Sequence, residues 1–370
     1  MTAQHDSTAQ SGQSAANPAF LRGGFGSALR LLFKASNFRH LPRLLREGPS
    51  PLLRLAIQAH NTAEIMRLLR QGQPLHFVSS FPRSGNTWMR YLLADVFLQN
   101  HGVPTATELP VHPDKLVPDF YCHWIARRAV ANLPPIVMVK THDTFPQLQE
   151  RFGRVRLRPG SGASAAVAPF AACKHVYLYR SPEDALVSLF HYHDCQKHLK
   201  SKAAAGIDAF CLAFLSSWED NLASYLRAEE EGFPVLFVPY ELLLQYPTEI
   251  LSRLLRWLGA RHDGATVERA VSNMQFSKLQ AVEARLFNDE AFFFRRGRNG
   301  SGSAELQPST LAVIQERTSK LMERANARVL IQHSLPGVPP SPKTARILRD
   351  AAFRNRQTKR LPPVAKLQQT

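Results

Sequence analysis

The sequence predicts an α/β fold, a parallel sheet flanked by helices. Three observations predict it. Four short apolar runs follow residue 75 without clean polar alternation, as strands covered on both faces do. Stretches with apolar residues at helical spacing lie between them. Each run ends in polar residues, which puts candidate ligand groups along one sheet edge.

In chain order, residues 1–18 are small and polar and are predicted to be disordered, with no basic-then-apolar leader pattern. Residues 19–74 form a basic, helical N-terminal extension, broken at Pro42 and at Gly48-Pro49-Ser50-Pro51. Phe25, Leu29, Leu32 and Phe33 make a stripe at helical spacing beside Arg30 and Lys34. Two readings stay open: helices packed on the core with a solvated basic face, or a helix lying on an anionic membrane. Residues 75–333 form the central domain. Its strands are predicted at 76–80, 136–139, 175–179 and 235–238. Met89, Leu92, Leu93, Val96 and Phe97 mark one helix; Leu251, Leu254, Leu255 and Leu258 mark another, stopped at Gly259. Residues 151–174 interrupt this order, and their Gly/Ser/Ala-rich centre reads as a surface insertion between the second and third strands. Residues 334–342 read as a linker and the rest, to 370, as a basic tail.

Composition narrows the function. Hydrophobic residues make up 44% of the 370, enough for a large core. No run of 18 uncharged apolar residues predicts a transmembrane helix. Cys122, Cys173, Cys195 and Cys211 form no CxxC pair, which excludes a disulfide scaffold, argues against zinc and fits a reducing, cytoplasmic setting. The net charge of +17 sits in the ends: residues 19–70 and 341–370 carry +7 each and 1–18 carry −1, leaving +4 for 71–340. A partner chosen by bulk charge, such as an anionic membrane touched peripherally, therefore belongs to the ends. No specific nucleic-acid partner is expected.

The first strand runs into Ser80-Phe81-Pro82-Arg83-Ser84-Gly85-Asn86-Thr87-Trp88 and then an amphipathic helix. Strand, glycine-bearing loop and helix start make an anion cradle of backbone N–H groups. The loop lacks GxxxxGK[ST], so it is not a Walker A motif. The second strand ends in Lys140-Thr141-His142, a cation beside a residue able to act as general base near neutral pH. The third ends at Arg180, where Ser181, Pro182 and Asp184 predict a capped helix carrying Ser188. The fourth ends in Tyr240-Glu241, and the late run 292–300 joins aromatics to Arg295, Arg296, Gly297 and Arg298.

Together these motifs resemble the sulfotransferase family over residues 75–330. The loop 81–88 is similar to the family's 5′-phosphosulfate loop, Lys140-Thr141-His142 to its KTH, the stretch from Val176 to Ser188 to its 3′-phosphate motif, and 294–300 to its late FxRKGxxG loop. The resemblance implies 3′-phosphoadenosine-5′-phosphosulfate as donor, without a metal. It implies that Arg83, Ser84, Gly85, Asn86 and Thr87 hold the 5′-phosphosulfate, that Trp88, Phe276 and Tyr240 lie about the adenine, and that Arg180, Ser188, Arg295, Arg296 and Gly297 hold the 3′-phosphate. His142 matches the general base, with Lys140 and Arg83 the cations at the transferring group. The acceptor would offer a hydroxyl or amine on a carbohydrate, lipid or small molecule, and activity would rise with pH near the ordinary imidazole value of about 6.5. Arg83 and Asn86 depart from the family's usual Lys and Thr, and no Trp follows Gly300. Two other readings compete: a P-loop kinase, which would need a metal carboxylate and a P-loop lysine, and a non-catalytic nucleotide-binding or membrane-surface module.

Overall fold

A computed structural model describes residues 51–102, 113–125, 137–157, 169–195, 203–286, 297 and 300–333. Its strands are β1 (Leu75–Ser80), β2 (Val137–Thr141), β3 (His175–Tyr179) and β4 (Val235–Pro239). All pair parallel, in the order β2-β1-β3-β4. Parallel pairing sends every strand's carboxyl end to the same edge, and β1 sits between β2 and β3 there. Ser79 faces Thr141 across one ladder and Ser80 faces Leu178 across the other. The chain ends of three predicted motifs thus converge.

The helices are α1 (Pro51–Arg70), α2 (Asn86–Asn100), α3 (Phe145–Phe152), α4 (Pro182–Cys195), α5 (Ile207–Glu230), α6 (Tyr240–Gln245), α7 (Pro247–Leu258), α8 (Gly264–Asn273), α9 (Phe276–Leu286), α10 (Ser301–Glu305) and α11 (Pro308–His333). The stripe of α2 from Met89 to Phe97 and that of α7 from Leu251 to Leu258 are buried in the core. So are Phe77, Val78, Val139, Val176 and Phe237 on the strands, which explains why those runs lack polar alternation. Each such side chain contributes about 1.5–3 kcal/mol through the apolar surface it removes from water.

Aromatic packing seals the sheet. Tyr177 on β3 stacks on Tyr225 of α5 at 4.2 Å between centroids. His175 lies fully buried, stacked on Phe77 at 5.1 Å, with neither ring nitrogen hydrogen-bonded. Burial, with the neighbouring His76, pulls its pKa down to about 3, so the ring is neutral and packs as an aromatic.

Two stretches at the sheet's margins join the core. The flanks of the 151–174 stretch are core: Phe152, Val155, Phe170 and Cys173 are buried. Their apolar side chains outweigh the small-residue composition of the centre; residues 158–168 lie outside the described residues. The end of the N-terminal extension is core as well. Helix α1 buries Ile65, Leu68 and Leu69 in the same cluster as β1, so this part follows the packed reading. Residues 1–50 and 334–370, which carry most of the charge of both ends, lie outside the described residues, and with them the membrane expectation. Among the described residues no helix is long and apolar enough to cross a membrane.

Candidate active site

The loop after β1 turns sharply. Arg83 holds a left-handed backbone, φ 68°, the only non-glycine with positive φ among the described residues. Such a backbone costs an arginine on the order of 1–3 kcal/mol and persists where surrounding contacts fix it. Its guanidinium Nε–H donates to Ser188 Oγ on α4 at 3.1 Å and lies 5.3 Å from the Tyr192 ring centre. Gly85 then starts α2 at φ 92°. A Cβ there would overlap the Tyr240 ring, so glycine meets both a backbone and a space requirement. Ser84 Oγ is fully buried and has no hydrogen-bond partner. The Asn86 amide nitrogen ties the helix start to β1, donating to Val78 O and Ser80 Oγ at 3.2 and 3.1 Å. Thr87 is half-buried on the first turn.

An aromatic wall continues from the loop. Trp88 meets Tyr240 and Phe276 edge-on, each at 6.5 Å between centroids, and its indole N–H donates to Met274 O at 2.7 Å. Gly297, at φ 55°, lies so close to Phe276 that a Cβ would overlap that ring. Arg180, buried at the tip of β3, lies 4.7 Å over the Tyr240 ring and 3.5 Å from the Asp184 carboxylate. Asp184 does not close a turn with Ser181. Its oxygens accept from Gly300 N at 2.9 Å and Gly302 N at 2.7 Å, fastening the late loop to α4. The Ser181 amide donates instead to Glu241 at 3.1 Å. Burial pushes the Glu183 carboxyl up to about 7 and raises that of Glu241.

The structure therefore brings Arg83, Ser84, Gly85, Asn86, Thr87, Trp88, Arg180, Ser188, Tyr240, Phe276 and Gly297 around one edge. Arg295 and Arg296 lie outside the described residues.

On the other side of the loop stand Lys140 and His142. The His142 ring Nδ1 lies 2.7 Å from Ser80 O. A carbonyl oxygen only accepts, so Nδ1 carries the proton and a neutral ring keeps its lone pair on Nε2. His142 is half-buried, and its backbone is held by Asn221 of α5, whose amide donates to His142 O at 3.1 Å. Burial and the Lys140 ammonium pull His142 down to about 3. The motif already implies that the Lys140 cation lowers this pKa from about 6.5; the larger cause, burial of the ring, is not visible in a motif.

Sequence reasoning missed the partner of Lys140. Its ammonium forms an ion pair with Asp119, from a segment 21 residues upstream. That segment bridges to β2 through Phe120 N to Lys140 O and Lys140 N to Pro118 O, both 2.9 Å. Burial pushes the Asp119 carboxyl up, but Lys140, Arg90, His142 and His123 outweigh it and hold it at about 2. No spacing signal marks Asp119 as a partner of the strand end. Among the described residues no group of three His, Cys, Asp or Glu is placed to hold a metal ion.

A strand–loop–helix anion cradle, an aromatic wall and a lysine–histidine pair on one parallel-sheet edge define an α/β protein built for an anionic, base-bearing ligand. The particular family follows from comparison: residues 74–326 match the sulfotransferase domain, and the chain belongs to that family and is a sulfotransferase. Curated relatives agree. Cytosolic sulfotransferase 7 of Arabidopsis thaliana is 24% identical over 68% of this chain and 79% of its own. Cytosolic sulfotransferase 13 of the same plant is 27% identical over 66% and 75%. The flavonol 3-sulfotransferase of Flaveria bidentis is 22% identical over 60% and 74%. In fold, the chain resembles a mouse sulfotransferase solved with PAP, with a TM-score of 0.50 and 20% identity over 75% of this chain and 96% of that one.

Proposed function

We propose that this sulfotransferase takes its sulfuryl group from 3′-phosphoadenosine-5′-phosphosulfate and that His142 is the general base toward a hydroxyl or amine acceptor. The observation that carries the reading is the hydrogen bond of His142 Nδ1 to Ser80 O. With the proton placed on Nδ1 by that bond, the neutral ring keeps its lone pair on Nε2, the tautomer a general base needs.

The residues present fit the nucleotide. The buried, unpartnered Ser84 Oγ sits in the loop that leads into the start of α2, where backbone N–H groups can meet an anion, and Gly85 lets that loop pack against Tyr240. Arg83, Ser84, Gly85, Asn86 and Thr87 would hold the 5′-phosphosulfate. Trp88, Tyr240 and Phe276 would flank the adenine. Arg180, Ser188 and Gly297, with Arg295 and Arg296, would hold the 3′-phosphate. The bound donor supplies an electrophilic sulfur on a good leaving group. His142 takes the acceptor's proton as its oxygen or nitrogen bonds to sulfur, while Lys140 and Arg83 offset charge on the sulfuryl oxygens. The mouse structure's PAP and the plant relatives' names support this reading, and the word cytosolic in those names supports work in the cytosol. A small molecule is the favoured acceptor class, as the flavonol enzyme's name suggests.

The test is transfer of labelled sulfate from the donor into a cell extract, with identification of the labelled product. Incorporation that ATP does not compete away supports the reading; none at any donor concentration overturns it. Equal affinity for adenosine nucleotides with and without the 3′-phosphate would remove Arg180 and Ser188 from their assigned place.

A further inference from the structure

Helix α1 precedes the family-matched residues 74–326, yet it reaches the active edge. Asn61, at its middle, is fully buried. Its amide nitrogen donates to Phe120 O at 2.9 Å and His123 O at 2.8 Å, and its amide oxygen accepts from Ile125 N at 2.9 Å. One side chain thus satisfies three backbone groups of a segment 59–64 residues away. Buried amides so fully paired are costly to replace, because each partner left behind loses its hydrogen bond. The start of the same segment is fixed from the other side, where Arg90 of α2 donates to Val117 O at 2.8 Å and pairs with Asp114. Between these anchors lies Asp119, joined to the sheet edge by the parallel bridge to Lys140 and by the ion pair with its ammonium.

We infer that Asp119 is a positioning residue for Lys140 and that Asn61 of α1 sets it, so that a helix outside the family-matched region is part of the catalytic apparatus. A lysine side chain has four rotatable bonds, and a point charge is effective only where it is held. The Asp119 carboxylate, buried and surrounded by Lys140, Arg90, His142 and His123, holds that ammonium beside the strand end. The ammonium has three N–H donors, so one can stay on Asp119 while others face a ligand. Asp119 in turn is placed by its flanking backbone, tied to Asn61, Arg90 and β2, and its carboxylate also accepts from Tyr121 N at 2.9 Å within the segment. The importance of a held Lys140 rests on the reaction proposed above; the holding itself does not.

The experiment is acylation of the full-length, ligand-free protein with a small amine reagent, reading each lysine by peptide mass spectrometry. Lys174 is the internal control: it is half-buried, and its ammonium donates to Trp257 O at 2.6 Å away from this segment. In Asp119→Asn the Lys140 rate should rise several-fold with Lys174 unchanged, because the ion pair that shields the amine is gone. Asn61→Ser should raise Lys140 selectively as well, and adding it to Asp119→Asn should give no further increase. Asn61→Asp, which keeps the volume and the acceptor for Ile125 N, serves if the serine variant does not fold. An unchanged Lys140 rate in Asp119→Asn overturns the proposal. So do Asn61 variants that leave Lys140 alone or raise Lys140 and Lys174 together, the latter marking general loosening. Lys140→Ala tested for labelled-sulfate transfer keeps the two readings apart: unchanged transfer would remove Lys140 from the reaction, while the acylation result would stand.

Discussion

The two sides of the loop after β1 are held in different ways. On the nucleotide side, glycines and aromatic rings set the shape: Gly85 against Tyr240, Gly297 against Phe276, Trp88 between the two rings. On the side proposed for transfer, charges and single hydrogen bonds hold the side chains: Lys140 on Asp119, His142 on Ser80, Arg83 on Ser188. A wall of packed rings is sensitive to added volume. A buried charge pair is sensitive to the loss of one partner. The first side should therefore fail through affinity and the second through turnover.

The sharpest way to break that division is His142→Ala. Turnover should fall roughly 10²–10⁴-fold while affinity for PAP stays the same, since no nucleotide-side contact involves the ring. Turnover and calorimetric affinity measured together decide it, and a stable variant with normal turnover removes His142 from the mechanism. Arg83→Gly comes next. It deletes the guanidinium and relieves the left-handed backbone at once. Transfer should drop by about 1.5–3 kcal/mol of lost charge-assisted contact, with an unchanged or higher thermal midpoint. A lower midpoint would mean that the Ser188 bond outweighs the backbone strain.

Gly85→Ala probes the opposite side. The methyl would meet the Tyr240 ring in a backbone region alanine disfavours, at a cost of about 1–3 kcal/mol. PAP affinity and the thermal midpoint should fall together, and an unaltered PAP affinity would show that the ring yields.

The smallest effects concern pH. Lys140→Met should raise the His142 pKa, followed by imidazole NMR, because burial remains but the cation's contribution is removed. Stability has its own signature. His76, His142 and His175 have folded pKa values of about 4, 3 and 3, below the unfolded value of 6.5. The unfolded chain therefore binds protons first, and stability falls as pH drops below about 6.5. Glu183, raised from 4.5 to about 7, acts in the opposite sense between those values. His175→Phe should flatten the acid decline of the thermal midpoint, since it removes a buried ring that must charge; an equally steep decline would place the sensitivity elsewhere.

Much of the architecture is legible in the residues themselves. Unbroken apolar runs at β1 to β4 announce strands covered on both faces, and the loop from Ser80 to Trp88 announces a strand–loop–helix anion cradle, because these signals are local and fixed by backbone periodicity and side-chain shape. The motif positions around that loop were legible for the same reason: each sits at the end of its own strand. What the tertiary structure alone decided joins parts of the chain that no period relates. Asn61 meets Phe120 across 59 residues, Lys140 meets Asp119 across 21, and Asp184 takes the Gly300 and Gly302 amides across 116 and 118. The burial of the flanks of 151–174 has a related cause, since Phe152 and Phe170 answer to a core assembled from distant strands. The protonation of His142 belongs to the same class: an imidazole's charge depends on the water removed from it and the cation packed beside it, and both exist only once the chain has closed around the strand end.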